Sequence, residues 1–302
     1  MKRKRKKVLI ICGGGVYGVI PAAFMSMLPK EKQTLKDVDL LSGCSIGGML
    51  AAVYATGRDF TGVLEDFQKY ASQCFTKRFA ARINPIACPT YDSESLNRVL
   101  INMLGNWKMG EVKKDAYPDL DVVIPALNLT DDAYKVFDNI TDRDSNMLLR
   151  TIAAMTSAAP SYFSGVPMGG KCYVDGGIIE VAPLLTATTA LKGKRGVPFA
   201  DMDVLMLGTG KDIDKKPITP ERYDGFNLLD VALNVVVPYV TLSNEMATRY
   251  WGKNMGYHSF EYFNPCVTDG TLDDITKIPQ AVASTEVYRE QFLAAWDQWL
   301  TC

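Results

Sequence analysis

The stretch Leu40 to Leu50, LLSGCSIGGML, constrains the fold of this chain more than any other. A short apolar run (Val38, Leu40, Leu41) reads as a strand, Gly43, Ser45 and Gly47 form a G-x-S-x-G pattern, and Met49 to Val53 continue as a helix. Passing from strand to helix in so few residues forces a sharp corner, which the glycines permit because they bring no Cβ against neighbouring backbone. A serine there presents its hydroxyl at the start of a helix, where unpaired N–H groups favour developing negative charge. The same pattern also suits a plain tight turn with close helix packing, so by itself it leaves nucleophile and turn both open.

Upstream, Val8 to Ile11 is a continuous apolar run of the kind found in a buried parallel strand. It enters Cys12-Gly13-Gly14-Gly15-Val16-Tyr17-Gly18 and then a helical run from Val19 to Leu28. Gly13, Gly15 and Gly18 satisfy G-x-G-x-x-G, which raises a nucleotide-binding α/β protein as an alternative. That motif calls for an acidic residue at the end of the second strand, whereas this strand ends in Leu41-Ser42-Gly43. Three glycines after a strand also offer bare backbone N–H groups, which is what an oxyanion hole requires.

Downstream, helices are expected from Asp59 to Ala71 and from about Ser93 to Leu104, with a loop over residues 76–90 between them. Two strands, Leu120 to Leu129 and Ala133 to Phe137, precede a helix over Met147 to Met155 and the small residues Thr156-Ser157-Ala158-Ala159-Pro160. Tyr173-Val174 then leads into Asp175-Gly176-Gly177, where a carboxylate leaves a strand into a loop, although Asp-Gly is also a common surface turn. A helix over Leu184 to Leu191 and a strand over Asp203 to Leu207 ending at Gly208-Thr209-Gly210 follow. The apolar stretch Phe226 to Leu242 contains Asp230, Asn234 and Pro238 and reads as a core helix instead of a membrane span; a strand at His258 to Phe263 and a helix ending near Trp299 close the chain. Alternating strands and helices predict an α/β three-layer sandwich with a mostly parallel central sheet, as one domain over residues 8–302. Gly13 to Gly18, Ser45 and Gly208 to Gly210 then fall at the carboxyl ends of strands, where such sheets place their sites.

Charge narrows the function. The net charge of −1 includes six consecutive basic residues, Lys2 to Lys7, without which the body stands at −7 and is a poor partner for nucleic acid. Residues 1–7 read as a basic tail that either meets anionic membrane surfaces or only solubilises the chain. Seven scattered cysteines and one histidine indicate neither a disulfide framework nor a metal site, and no cofactor is expected. The apolar run after the basic cluster is too short for a secretory signal, so a cytoplasmic protein, peripheral to membranes through its tail, is the expectation.

A serine nucleophile needs a base. Ser45, Asp175 and His258 stand in the chain order of an α/β-hydrolase triad. Against that, Ser45 follows only the second strand, and His258 sits in an aromatic, strand-like segment without loop glycines. The chain resembles the patatin-like phospholipase family in four ordered blocks: Gly13 to Gly18, Gly43 to Gly47, Ser157 to Phe163, and Asp175-Gly176-Gly177 with Pro183. Leu207 to Gly210 resembles the family's later strand end. The resemblance implies hydrolysis of lipid acyl esters by a Ser45–Asp175 dyad without histidine, an oxyanion loop at Gly13, Gly14 and Gly15, and supporting roles for Gly18, Gly43, Gly47, Gly176 and Gly177. Cys12, Tyr17 and Val181 depart from the family's usual acidic, basic and asparagine residues at those places, which leaves a catalytically silent binding protein on the same scaffold as a further alternative.

Overall fold

The computed structural model describes residues 5–78, 88–212, 237–267 and 271–301. In chain order the elements are β1 (Lys6–Ile11), α1 (Val19–Ser26), β2 (Leu40–Gly43), α2 (Ile46–Tyr54), α3 (Phe60–Cys74), α4 (Ser93–Leu104), β3 (Asp121–Asn128) and β4 (Ala133–Asp138). They continue with α5 (Leu149–Thr156), β5 (Val166–Met168), β6 (Lys171–Asp175), α6 (Leu184–Arg195), β7 (Met202–Leu207) and β8 (Lys211–Asp212). The last are α7 (Val237–Asn254), β9 (Ser259–Phe263), β10 (Cys266–Val267), α8 (Ile278–Glu286) and α9 (Arg289–Thr301). The expected helix over 226–242 and the loop over 76–90 lie partly outside the described residues.

The main sheet runs β5-β6-β3-β2-β1-β7-β9, with β4 also paired to β3. β3, β2, β1, β7 and β9 are parallel, and β4, β5 and β6 are antiparallel to their neighbours. Side-chain alternation divides the core between two faces. Leu9, Ile11, Leu41 and Leu205 point into the larger core with α1 to α5, α8 and α9, while Val8, Ile10, Leu40 and Val204 meet α6 on the other face. Helices on both sides of the sheet make the three layers. Caps mark where the helices start: the Asp59 carboxylate accepts from the Gly62 N–H at 2.8 Å ahead of α3, and that of Asp92 accepts from the Glu94 and Ser95 N–H groups ahead of α4.

One pairing decides where the site forms. Val123 of β3 is in register with both Ser42 of β2 and Asp138 of β4, and Ala126 with both Asp175 of β6 and Lys135 of β4. β4 therefore occupies one edge of β3, and β2 and β6 share the other. Because β2 runs parallel to β3 and β6 antiparallel, their carboxyl ends face each other along that edge.

The boundary expected at Val8 is corrected. β1 begins at Lys6, and Lys7 is buried, with its Nζ 2.9 Å from the fully buried Asp203. The Lys7 N–H and the Lys6 ammonium reach Asp39 at 2.8 and 2.6 Å, and Arg5 lies 3.8 Å from Asp203. Two of the basic residues thus belong to the sheet, because carboxylates distant in sequence neutralise them there.

Candidate active site

Ser45 stands between β2 and α2 with φ 56° and ψ −128°, a conformation that costs a non-glycine residue about 1–3 kcal/mol. The fold holds it by both backbone groups. Its N–H donates to Oγ1 of the buried Thr156 at 3.0 Å, and its carbonyl accepts from Ser157 Oγ at 3.2 Å and from the Met49 N–H at 3.0 Å. Gly47 is required by close approach, since a Cβ there would come within 2.2 Å of the Ile11 carbonyl oxygen of β1. Gly43, at the end of β2, faces Gly47 across the corner in the same way.

Asp175, the last residue of β6, meets the serine head-on: Ser45 Oγ donates to Asp175 Oδ2 at 2.5 Å. Its other oxygen accepts from the Gly177 N–H at 2.7 Å and faces the Cys44 thiol at 3.8 Å. Gly176 packs between the Pro125 carbonyl and Cys44. Burial raises the Asp175 pKa from 3.8 to about 6, against the opposing pull of those three donors. A carboxylate so placed is still ionised at neutral pH and is a better base than one of ordinary pKa.

Of the three expected oxyanion donors, one is corrected. The Gly13 N–H donates to the Val181 carbonyl at 2.9 Å and is not available to a substrate. The N–H groups of Gly14 and Gly15 meet no acceptor among the described residues, because they begin the 3-10 turn Gly15–Gly18, whose first donors have no partner within the turn. Gly18 closes that turn against Ile46. The loop is fixed from three sides: Thr209 Oγ1 donates to the Gly13 carbonyl at 2.6 Å, Val181 accepts as above, and the Val16 N–H donates to the Leu272 carbonyl at 2.8 Å. Val181 serves through its backbone, so an asparagine side chain is not needed for this contact. Cys12 and Tyr17 are both buried in the core.

Ser45, Asp175 and the glycine loop open on a cavity of about 350 Å³, within the size range of small-molecule sites. Its far walls are Phe67, Ala71 and Cys74 of α3 and Leu96, Val99 and Met103 of α4, apolar side chains at helical spacing. His258 is elsewhere. Its Nδ1 bonds Asp203 at 2.7 Å at the amino ends of β1 and β7, whereas Ser45 lies past the carboxyl end of β2, so no Ser-Asp-His triad forms. The sequence reading missed Thr156, Thr209 and Leu272. Thr156 stood just before a recognised block and Thr209 within one, but they were read as a small residue and part of a strand end, and Leu272 acts through a backbone carbonyl that no side-chain pattern announces.

A model of the patatin-like phospholipase family matches residues 9–188. The cGAMP-activated phospholipase of Escherichia coli strain TW11681 is 25% identical over 307 residues, covering 91% of this chain and 84% of that protein. Patatin-like protein 2 of Oryza sativa subsp. indica is 26% identical over 263 residues, covering 76% of this chain and 61% of that protein. Among solved structures, VipD from Legionella pneumophila shares the fold, with a TM-score of 0.52 at 13% identity over 97% of this chain and 67% of that one. The family model spans more than half of the sequence, from the first strand to the helix beyond Asp175, and the chain accordingly belongs to the patatin-like phospholipases, a family of lipid acyl hydrolases.

Proposed function

We propose that this protein releases fatty acid from glycerophospholipids or related acyl esters through a Ser45–Asp175 dyad. The observation that carries the proposal is the 2.5 Å contact between Ser45 Oγ and a buried carboxylate whose pKa is raised to about 6. As Oγ attacks the ester carbonyl, Asp175 Oδ2 takes its proton, and the Gly14 and Gly15 N–H groups receive the negative charge developing on the carbonyl oxygen. Protonated Asp175 then gives its proton to the departing alcohol, leaving the acyl group on Ser45. Water attacks this ester with Asp175 again as base, and fatty acid leaves. The cavity between α3 and α4 takes the acyl chain, along walls that are mostly apolar. No step in this scheme calls for a metal or a cofactor.

The test is fatty-acid release from phospholipid by wild type and Ser45→Ala, together with mass-spectrometric detection of a fluorophosphonate adduct. Release by wild type alone, with the adduct on Ser45, is the expected result. Release undiminished in Ser45→Ala rules the dyad out.

A further inference from the structure

Among the described residues nine large apolar side chains are exposed; two of them, Ile178 and Leu272, line the acyl cavity, and Ile179 and Ile275 stand one and three residues further along the same two segments. Ile178 and Ile179 are 40% and 52% exposed on the turn that follows Asp175. Leu272 and Ile275, each 37% exposed, lie on the segment against the glycine loop. Scattered exposed apolar residues need no explanation, but a cluster around a binding mouth does.

These side chains are displayed on braced turns. The Ile179 N–H donates to the Gly176 carbonyl at 2.9 Å, and the Leu272 carbonyl is held by Val16. Asp273 accepts from the Tyr91 hydroxyl, and Asp274 accepts from the Thr276 N–H at 3.1 Å. Both carboxylates of the segment are thus engaged within the protein.

We infer that this rim is a lipid-docking surface, at which Ile178, Ile179, Leu272 and Ile275 enter the apolar layer of a lipid aggregate and bring its acyl chains to the cavity. The inference rests on the reading of Ser45 as an acyl-ester nucleophile. A protein seated stably on the rim would seal the mouth, whereas a lipid layer both covers the rim and supplies what passes through it. Arg5, Lys6 and Lys7 are committed to Asp39 and Asp203 at the amino end of β1, about 20 Å by strand rise from the end that carries the glycine loop. Docking at the rim therefore does not draw on these three charges, and to the extent that it is apolar it is only weakly sensitive to salt.

Ile179→Asn and Ile275→Asn change the rim without touching the cavity lining. Binding is read by sedimentation with phosphatidylcholine vesicles at low and high salt, in a Ser45→Ala background so that the vesicles stay intact. Activity is read on a soluble short-chain ester with Ser45 present. Removing one buried isoleucine contact should weaken vesicle binding about tenfold and the double change about a hundredfold. Turnover of the soluble ester should be unchanged, which also reports an intact fold. Vesicle binding unaffected by the double change overturns the inference. So does binding that requires anionic lipid and disappears at high salt, or self-association of the parent chain that the double change abolishes, which would make the rim an interface between copies. Because the binding arm uses a chain without its nucleophile, failure of the dyad reading appears only in the ester assay and leaves the rim test standing.

Discussion

Asp175→Asn separates catalysis from stability with opposite signs. The hydrogen-bonding pattern tells how the amide would sit: its oxygen takes the Oδ1 place, accepting from Gly177 and Cys44, and its NH₂ faces Ser45 Oγ. Shape and packing are kept, and only the proton acceptor is lost. General-base assistance is worth about 10²–10⁴-fold, so turnover of a soluble ester should fall by that factor. Stability should move the other way. Raising the carboxylate pKa from 3.8 to about 6 means that the folded protein binds the proton more tightly than the unfolded chain does. The wild type therefore loses stability relative to the amide variant as pH rises from about 4 through 6. At 1.36 kcal/mol per unit, the deficit above pH 7 is about 3 kcal/mol, and it vanishes below about pH 4. Urea unfolding of both proteins at a series of pH values reads this difference directly, and kcat/KM of wild type should decline with an acid limb near pH 6 on the same ester. An amide variant that is less stable than wild type at pH 8, or one that keeps most of its turnover, would falsify the assignment of Asp175 as a buried base.

Three further outcomes are expected. Thr156→Val keeps the buried shape but leaves the Ser45 N–H without its acceptor, so kcat should drop about 10²-fold with KM little changed, and Thr156→Ser should restore it; equal activity in all three proteins would show that Thr156 does not position the nucleophile. Gly15→Ala sets a Cβ within 2.0 Å of the Leu272 carbonyl oxygen at φ 58° and should abolish turnover, while Gly169→Ala, at the same φ with open space around it, should retain it, as comparative ester kinetics would reveal. His258→Gln should leave turnover within about twofold and cost about 1 kcal/mol of stability through the lost Asp203 contact; loss of activity in the folded variant would point to a role for the histidine that its position opposes.

Much of the fold was legible because it is written locally. The apolar run at Val8 to Ile11, the glycine corner at Ser45 and the Asp-Gly-Gly exit from β6 each carry a period or a turn chemistry that survives without tertiary context. The helical spacing in α3 and α4 was equally plain, but that the two helices enclose a cavity was not, since a core-facing stripe and a cavity-facing stripe have the same pattern. Other features depend on partners far along the chain. Lys6 and Lys7 looked like a tail because apolarity begins at Val8, yet Asp39 and Asp203 bring them into the sheet. Gly13 looked like an oxyanion donor until Val181, from the segment beyond Asp175, took its N–H. The antiparallel course of β6 left no local trace, and neither did the raised pKa of Asp175, which comes from what surrounds the carboxyl.

The shared edge of β3 also bears on how the protein is made. Ser45 and Asp175 are 130 residues apart in sequence, so at about 5–20 residues per second Ser45 is synthesised about 7–26 s before Asp175. During that interval β1 and β2 already exist as strands-to-be, but the edge that will oppose Asp175 to Ser45 does not, because β3 itself begins only at Asp121. The braces of the glycine loop arrive later still, Thr209 from beyond β7 and Leu272 after it. A nascent chain of this topology carries Ser45 without Asp175 opposite it, and the site as a whole is assembled only after Leu272 has been made. The order in which the strands join the sheet thus sets the order in which the parts of the site come together.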